Sequence, residues 1–91
     1  MNPFPCIIVA IDTDSHFEGN ITIGHNGSQI TLPIRPLSVY LPWIKSWKAF
    51  DELSCIVNAN HSCGLINGPS HIDPLHLEDA AYAVLKGWSE E

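Results

Sequence analysis

The dipeptide Asn26-Gly27 constrains the fold of this chain more than any other feature of its sequence. It stands in the stretch NITIGHNGSQITLPI, between two segments that each alternate apolar and polar residues. Asn-Gly is the preferred sequence of a two-residue type I′ turn, whose twist matches that of two antiparallel strands. A turn here puts the Ile–Ile and Ile–Leu pairs on one face and the Thr pair on the other. The predicted hairpin pairs are His25–Ser28, Ile23–Ile30, Thr22–Thr31 and Ile21–Leu32.

A further strand is predicted before the hairpin, at residues 6–11, CIIVAI. Most of its residues are β-branched and both of its faces are apolar, which is typical of a central strand. Asp12-Thr13-Asp14 ends this run and opens a polar loop to Gly19. On the other side of the hairpin, Pro33 has no N–H to donate to a neighbour. The second arm of the hairpin therefore ends there or lies at a sheet edge.

Two helices are predicted in the second half of the chain. Pro42 suits the first turn of a helix, and an apolar stripe follows it at three- and four-residue steps. A short strand over Cys55–Asn58 is the alternative, because two of its residues are β-branched. An Asn- and Gly-rich loop at 58–72 then leads to Asp73-Pro74, which resembles a helix N-cap followed by proline at the first position. The stripes are Trp43, Ile44, Trp47, Phe50, Leu53 and Val57, and then Leu77, Ala80, Ala81, Val84, Leu85 and Trp88.

These segments predict one compact domain over residues 1–91. The expected class is α+β: a small antiparallel sheet of about three strands, in the order β-β-β-α-α, with two helices packed on one face. A proline-punctuated connection over residues 35–41 joins the hairpin to the first helix.

Charge narrows the range of partners. Ten acidic residues stand against four basic ones, a formal net charge of −6. Four basic side chains are too few to contact the successive phosphates of a nucleic acid. No direct nucleic-acid partner is therefore expected. An anionic membrane is disfavoured for the same reason, and the longest apolar run is far shorter than the roughly 20 residues of a membrane helix. A basic protein surface would be attracted.

Cysteine usage and the first residues indicate the compartment. Three cysteines, Cys6, Cys55 and Cys63, cannot all pair, which argues against a disulfide framework and for a reducing environment. The stretch MNPFPCIIVAI lacks the basic region of a signal peptide. We therefore expect a cytoplasmic protein.

The leading functional prediction is an acidic, non-catalytic protein-binding module without a cofactor. Three tryptophans in so small a domain predict aromatic surface for a partner or for a homodimer. By analogy of size and charge, we expect a stoichiometric inhibitor or regulator of a partner protein, comparable to phage anti-defence or toxin-immunity proteins. It would then be an accessory protein of a virus or a mobile element. The predicted partner-binding residues are Asp12, Asp14, Glu18, Trp43, Trp47, Asp51 and Glu52.

The alternative is a metal- or small-ligand-binding domain built on the segment 55–76. Thiolate and imidazole are the ligands that zinc prefers, and several such residues fall in or beside the predicted loop. Their spacing does not show the paired ligands of structural zinc sites. The candidate ligands are His61, Cys63, His71 and His76.

A catalytic alternative uses the carboxylates after the first strand. Residues 7–14, an apolar strand followed by Asp-x-Asp, are similar to the opening motif of haloacid-dehalogenase-type phosphotransferases. The resemblance implies Asp12 as nucleophile and Asp14 as general acid. That family also needs a larger doubly wound domain with a later lysine and a further acidic pair, so no enzyme is expected. The two aspartates are then predicted to end the strand and to organise an Asx-type turn.

Overall fold

Six antiparallel strands and a C-terminal helix build the protein. The structure is a computed structural model that describes residues 3–16, 18–34 and 42–91, with only the backbone at 42 and 43. The strands form a single sheet in the order β3-β2-β1-β4-β5-β6. The predicted connection over 35–41 lies outside the described residues. The elements are β1 Phe4–Thr13, β2 Gly19–His25, β3 Ser28–Ile34, a 3₁₀ turn Pro42–Ser46, β4 Glu52–Asn58, β5 Ser62–Asn67, β6 Ser70–His76 and α1 Asp79–Ser89.

The predicted hairpin is confirmed, with its register. β2 and β3 pair antiparallel, with Ile23 opposite Ile30 and Thr22 opposite Thr31. The two Thr hydroxyls share a hydrogen bond of 2.8 Å. Asn26 and Gly27 have φ values of 48° and 82°, the positive values that a type I′ turn requires. β3 lies at the sheet edge, as Pro33 predicts, and β1 lies inside the sheet.

The predicted fold class is wrong, because the sheet has six strands and a single α-helix follows it. The first predicted helix is only the 3₁₀ turn, and the chain then forms β4. The alternative prediction, a short strand over Cys55–Asn58, is therefore confirmed. In β4, Leu53, Cys55 and Val57 are buried while Glu52 and Ser54 are exposed, which is the period-two pattern of a strand.

The predicted loop at 58–72 and the predicted helix start at Asp73-Pro74 are also wrong. Most of the loop belongs to β5 and β6. Two turns with left-handed residues join the strands: His61 has a φ of 58°, and Gly68 also has a φ of 58°. Asp73 and Pro74 lie in β6, an edge strand, where a proline need not donate to a neighbour. The closing helix begins at Asp79 instead.

One face of the sheet carries the hydrophobic core. Side chains of alternate strand residues point to it, and α1 and the 3₁₀ turn cover it. We name the opposite side the open face, since no helix in the described ranges lies on it. None of the described helices is long and apolar enough to cross a membrane. The core includes Phe4, Cys6, Ile8, Ile21, Ile23, Leu32, Ile34, Ile44, Trp47, Leu53, Cys55, Val57, Cys63, Leu65, Ile72, Leu75, Leu77, Leu85 and Trp88.

Candidate functional site

Three large hydrophobic side chains are exposed around the middle of β1. The exposed fractions are 41% for Ile7, 36% for Val9 and 82% for Phe50. We call these three residues the apolar patch. Ile8, between the first two, is fully buried on the core face. The pairing of β1 with β2 shifts between Ile8 and Ala10, and such a bulge keeps Val9 on the exposed side while later residues return to the core.

A tightly bonded turn presents Phe50. The Phe50 N–H donates to the Ile8 carbonyl at 2.7 Å, and the Ile8 N–H donates to the Asp51 carbonyl at 2.9 Å. The φ of Phe50 is 72°, which is a genuine outlier for a bulky residue. Strained residues of this kind persist only where the surroundings fix them, and they concentrate at functional sites. Because its backbone is bonded to Ile8, Phe50 lies beside the strand segment that exposes Ile7 and Val9.

The Asp51 side chain completes this turn. Its Oδ2 accepts hydrogen bonds from the Lys48 backbone N–H at 3.1 Å and from Asn67 Nδ2 at 3.2 Å. Asp51 is half-buried. This predicted partner contact therefore has a supporting role, since its carboxylate ties the Phe50 turn to β5.

A concavity of about 850 Å³ lies beside Ile7 and Val9, between the β2–β3 hairpin and the start of β4. We call it the large cavity. A Cβ at Gly24 would lie 3.2 Å from Val9 Cγ2 and 3.5 Å from Ile7 Cγ1. The missing side chain therefore lets Ile7 and Val9 lie over β2. Glu52, which pairs with Ile7, is on the wall, and so is Ile66.

A smaller concavity of about 220 Å³ lies farther across the open face, and we call it the small cavity. Ile66 lines both cavities, so they are neighbours. A Cβ at Gly64 would lie 3.4 Å from the Asp73 carboxyl carbon, so this carboxylate lies over the bare backbone of Gly64. The small cavity is lined by Ile56, Asn58, Gly64, Ile66, His71 and Asp73.

The charged groups of the two cavities are acidic. Glu52 and Asp73 are exposed, and neither has a hydrogen-bond or ion-pair partner among the residues that the structure describes. The described lysines all lie off the strands: Lys45 in the 3₁₀ turn, Lys48 in the turn before Phe50 and Lys86 in α1. The strands of the open face therefore present negative charge beside apolar surface.

The predicted acidic group at the end of β1 is exposed but lies away from the apolar patch. Asp12 pairs with Asn20, five residues along β1 from Ile7. Asp14 Oδ1 accepts hydrogen bonds from the backbone N–H groups of His16 and Glu18, at 2.7 and 3.1 Å. These two bonds lower the pKa of Asp14. The predicted Asx-type turn is therefore present, with Glu18 exposed at its end; Phe17 lies outside the described residues.

The two tryptophans whose side chains the structure describes do not supply exposed aromatic surface. Trp47 is only 4% exposed and packs in the core, where its Nε1 has no hydrogen-bond partner in the described part of the chain. Trp88 is 7% exposed and packs edge-on against Phe4. The side chain of Trp43, the other predicted contact, lies outside the described residues. Phe50 provides the exposed aromatic instead.

The candidate metal ligands are dispersed. His61 stacks on Tyr82 at 3.9 Å and lies 3.1 Å from Asp79, at the start of α1. His71 lines the small cavity, and His76 is exposed opposite Ser62. Cys63 is fully buried in the core. Within the described ranges, no group of three or more His, Cys, Asp or Glu residues is placed to hold a metal ion.

Neither a family model, nor a curated protein, nor a solved structure matches this chain. Sequence reasoning identified Glu52 but missed Ile7, Val9, Phe50 and Asp73. The available signal was the sequence AFDELSC, in which the alternation of polar and apolar residues begins at Glu52, two residues after Phe50. An exposed aromatic just before a strand is typical of a turn and not of a helix stripe.

Proposed function

We propose that this chain is a small acidic protein-binding module without catalytic activity, which binds a partner through the open face of its sheet. The carrying observation is the apolar patch: Ile7 and Val9 line a concavity of about 850 Å³, and the exposed Phe50 is bonded through its backbone to Ile8 between them. Contiguous exposed apolar surface with a polar rim is typical of interaction sites. An aromatic anchor such as Phe50 is the residue type that carries much of the energy of an interface.

Charge supports a basic partner. The net charge is −6, and Glu52 and Asp73 line the two cavities of the open face. Acidic surface raises the rate of association with a basic protein and repels acidic ones, nucleic acid included. The exposed carboxylates of Asp12, Asp14 and Glu18 add to this field from the end of β1. A stoichiometric inhibitor or regulator, of the phage anti-defence or immunity type, fits this size and charge by analogy.

Two groups that sequence reasoning considered for catalysis or for metal binding have structural roles, which supports a module that only binds a protein. Asp14 holds its own loop through two backbone bonds. Cys63 is buried in the core, where β5 pairs with β6. All three cysteines are free thiols, which suits a reducing compartment such as the cytoplasm.

The proposal is tested by affinity capture from extracts of the native host, with quantitative mass spectrometry. The wild type is compared with Phe50→Ser and with the matched control Val84→Ser. Val84 is 39% exposed but lies on α1, on the covered side of the sheet. We expect one protein to be recovered stoichiometrically by the wild type and the Val84 variant, and about tenfold less by the Phe50 variant, as for a hot-spot truncation.

Equal recovery by the two variants would contradict the proposal, provided that both unfold at the wild-type temperature. The electrostatic part of the proposal, a basic partner, is tested by a separate measurement. The association rate with the recovered partner should fall as salt is raised, and a rate that is independent of salt removes a basic partner from the proposal.

A further inference from the structure

The small cavity has the size and the lining of a site for one long basic side chain. At about 220 Å³ it is smaller than the roughly 300–1,000 Å³ of sites for drug-sized ligands. Ile56 and Ile66 give it apolar walls, and Asp73 gives it a carboxylate. Lysine and arginine place their methylene groups along apolar surface and their charged end at a polar group, so they match both parts.

The acceptors of this cavity are fixed by the surrounding structure. Asn58 Nδ2 donates to Ser62 Oγ at 3.2 Å, and the Ser62 hydroxyl donates to Asn60 Oδ1 at 2.6 Å. This chain of bonds orients Asn58 and leaves its side-chain carbonyl as an acceptor. The Asp73 carboxylate lies over Gly64, where a side chain would crowd it. An incoming cation would meet a carboxylate and an amide oxygen, and charge-assisted bonds of this kind are the strong ones.

The large cavity suits a different side chain. Ile7, Val9 and Pro5 line it, with Glu52 on its wall. Its position beside the apolar patch favours an apolar anchor. Ile7 lies on β1 and Asp73 on β6, three strands apart in the sheet order. Strands are spaced about 4.8 Å apart and rise about 3.3 Å per residue. Ile7 pairs with Glu52 on β4, whereas Asp73 lies over Gly64, which pairs with Ile56, four residues farther along β4. The two positions are therefore about 14 Å apart across the sheet and about 13 Å apart along the strands, a separation of about 19 Å or about six residues of an extended chain.

We infer that the partner offers an extended basic segment, with an apolar side chain in the large cavity and a lysine or arginine about six residues away in the small cavity. This inference rests on the proposed function, because it names the chemistry of the same partner. A second copy of this chain is the poorer occupant. It would bring a net charge of −6 to a face that carries Glu52 and Asp73, for which the described residues offer no cationic partner.

The test is a selection of displayed random twelve-residue peptides on immobilised protein. Two variants of the small cavity are selected in parallel: Asp73→Asn, which removes the charge, and Gly64→Ala, which keeps the charge and narrows the cavity. Glu78→Gln is the matched control, since Glu78 is an exposed carboxylate before α1. The selected peptides are then synthesised and their dissociation constants are measured.

We expect the wild type and the Glu78 variant to select peptides with an apolar residue and a lysine or arginine about five to seven residues apart. Asp73→Asn should weaken the best peptide about tenfold, as loss of a charge-assisted bond does, and Gly64→Ala should also weaken it. Selected peptides that lack a basic residue, or an unchanged affinity in Asp73→Asn, would overturn this inference and leave the proposed function standing. A selection that enriches no peptide above background would overturn both.

Discussion

The Phe50 amide donates a hydrogen bond of 2.7 Å to the carbonyl of Ile8, and this bond joins the most exposed aromatic of the described chain to a fully buried residue of β1. Ile8 is fully buried at the centre of the sheet. Because its backbone is bonded to Ile8, Phe50 stays beside β1 even though its side chain is in solvent. The bond therefore gives the apolar patch a rigid base, which reduces the ordering cost of binding.

The left-handed conformation of Phe50 predicts an unusual effect of glycine. A non-glycine residue at a φ of 72° is strained by about 1–2 kcal/mol, whereas glycine is not. We expect Phe50→Gly to exceed Phe50→Ala in free energy of unfolding by about 1 kcal/mol. Both variants remove the same aromatic ring, so the comparison isolates the backbone. Urea denaturation measures it, and an alanine variant at least as stable as the glycine variant would contradict the positive φ.

The buried thiols predict chemical inertness in the native state. Burial raises the pKa of Cys6 to about 12. A hydrogen bond with Cys63, together with burial, raises the pKa of Cys55. Since the thiolate is the nucleophile, we expect no labelling by a disulfide reagent at pH 8 in the folded protein and three thiols per chain after denaturation. Ser28→Cys, at an exposed position of the hairpin, is the control that should react at once. Rapid labelling of the wild type would contradict this burial.

The hairpin could be predicted from sequence because its information is local. The turn residues and the alternation of Ile21, Ile23, Ile30 and Leu32 point to the same register, and the structure has that register. The same holds for β1, whose apolar run is buried on the core face from Phe4 to Ile8. Local propensity and tertiary pairing agree in this half of the chain, and such agreement is what makes a prediction sound.

The second half could not be predicted in this way, because two periodicities coincide in it. Trp47, Phe50, Leu53 and Val57 fit a helical stripe, while Leu53, Cys55 and Val57 also fit a strand. Pairing of β4 with β1 and β5 decides for the strand, and its pairs with β1 join residues about fifty positions apart. Asn67-Gly68 lies within the predicted loop at 58–72, although an Asn-Gly pair is also a hairpin signal. The open face depends on these long-range pairings, so most of its residues were missed.

The Asx-type turn at Asp14 predicts a pH-dependent contribution to stability. Backbone hydrogen bonds from His16 and Glu18 lower the pKa of Asp14 below its ordinary 3.8. A carboxyl whose pKa is lowered on folding contributes stability above its unfolded pKa and loses it as the pH falls through the folded value. Asp14→Ala should therefore be less stable than the wild type at neutral pH and closer to it in acid. Asp12→Ala, also at an exposed carboxylate of the same segment, is the control. An effect of Asp14→Ala that is equal at both pH values would contradict the role of the charged group.

Gly19 and Gly87 predict opposite effects of the same substitution. A Cβ at Gly19 would overlap the carbonyl oxygen of Asp12 and lie 2.8 Å from Thr13 Cα, so β1 and β2 would have to separate where they begin to pair. We expect Gly19→Ala to lower the free energy of unfolding by about 3 kcal/mol, as severe overpacking does. Gly87 is an exposed residue of α1 with nothing within 4 Å of an added Cβ. There alanine should raise the free energy of unfolding by about 0.5–1 kcal/mol, through its higher helix propensity. Chemical denaturation of the two variants beside the wild type measures both values. A tolerated alanine at Gly19 would mean that the two strands are not paired up to Thr13.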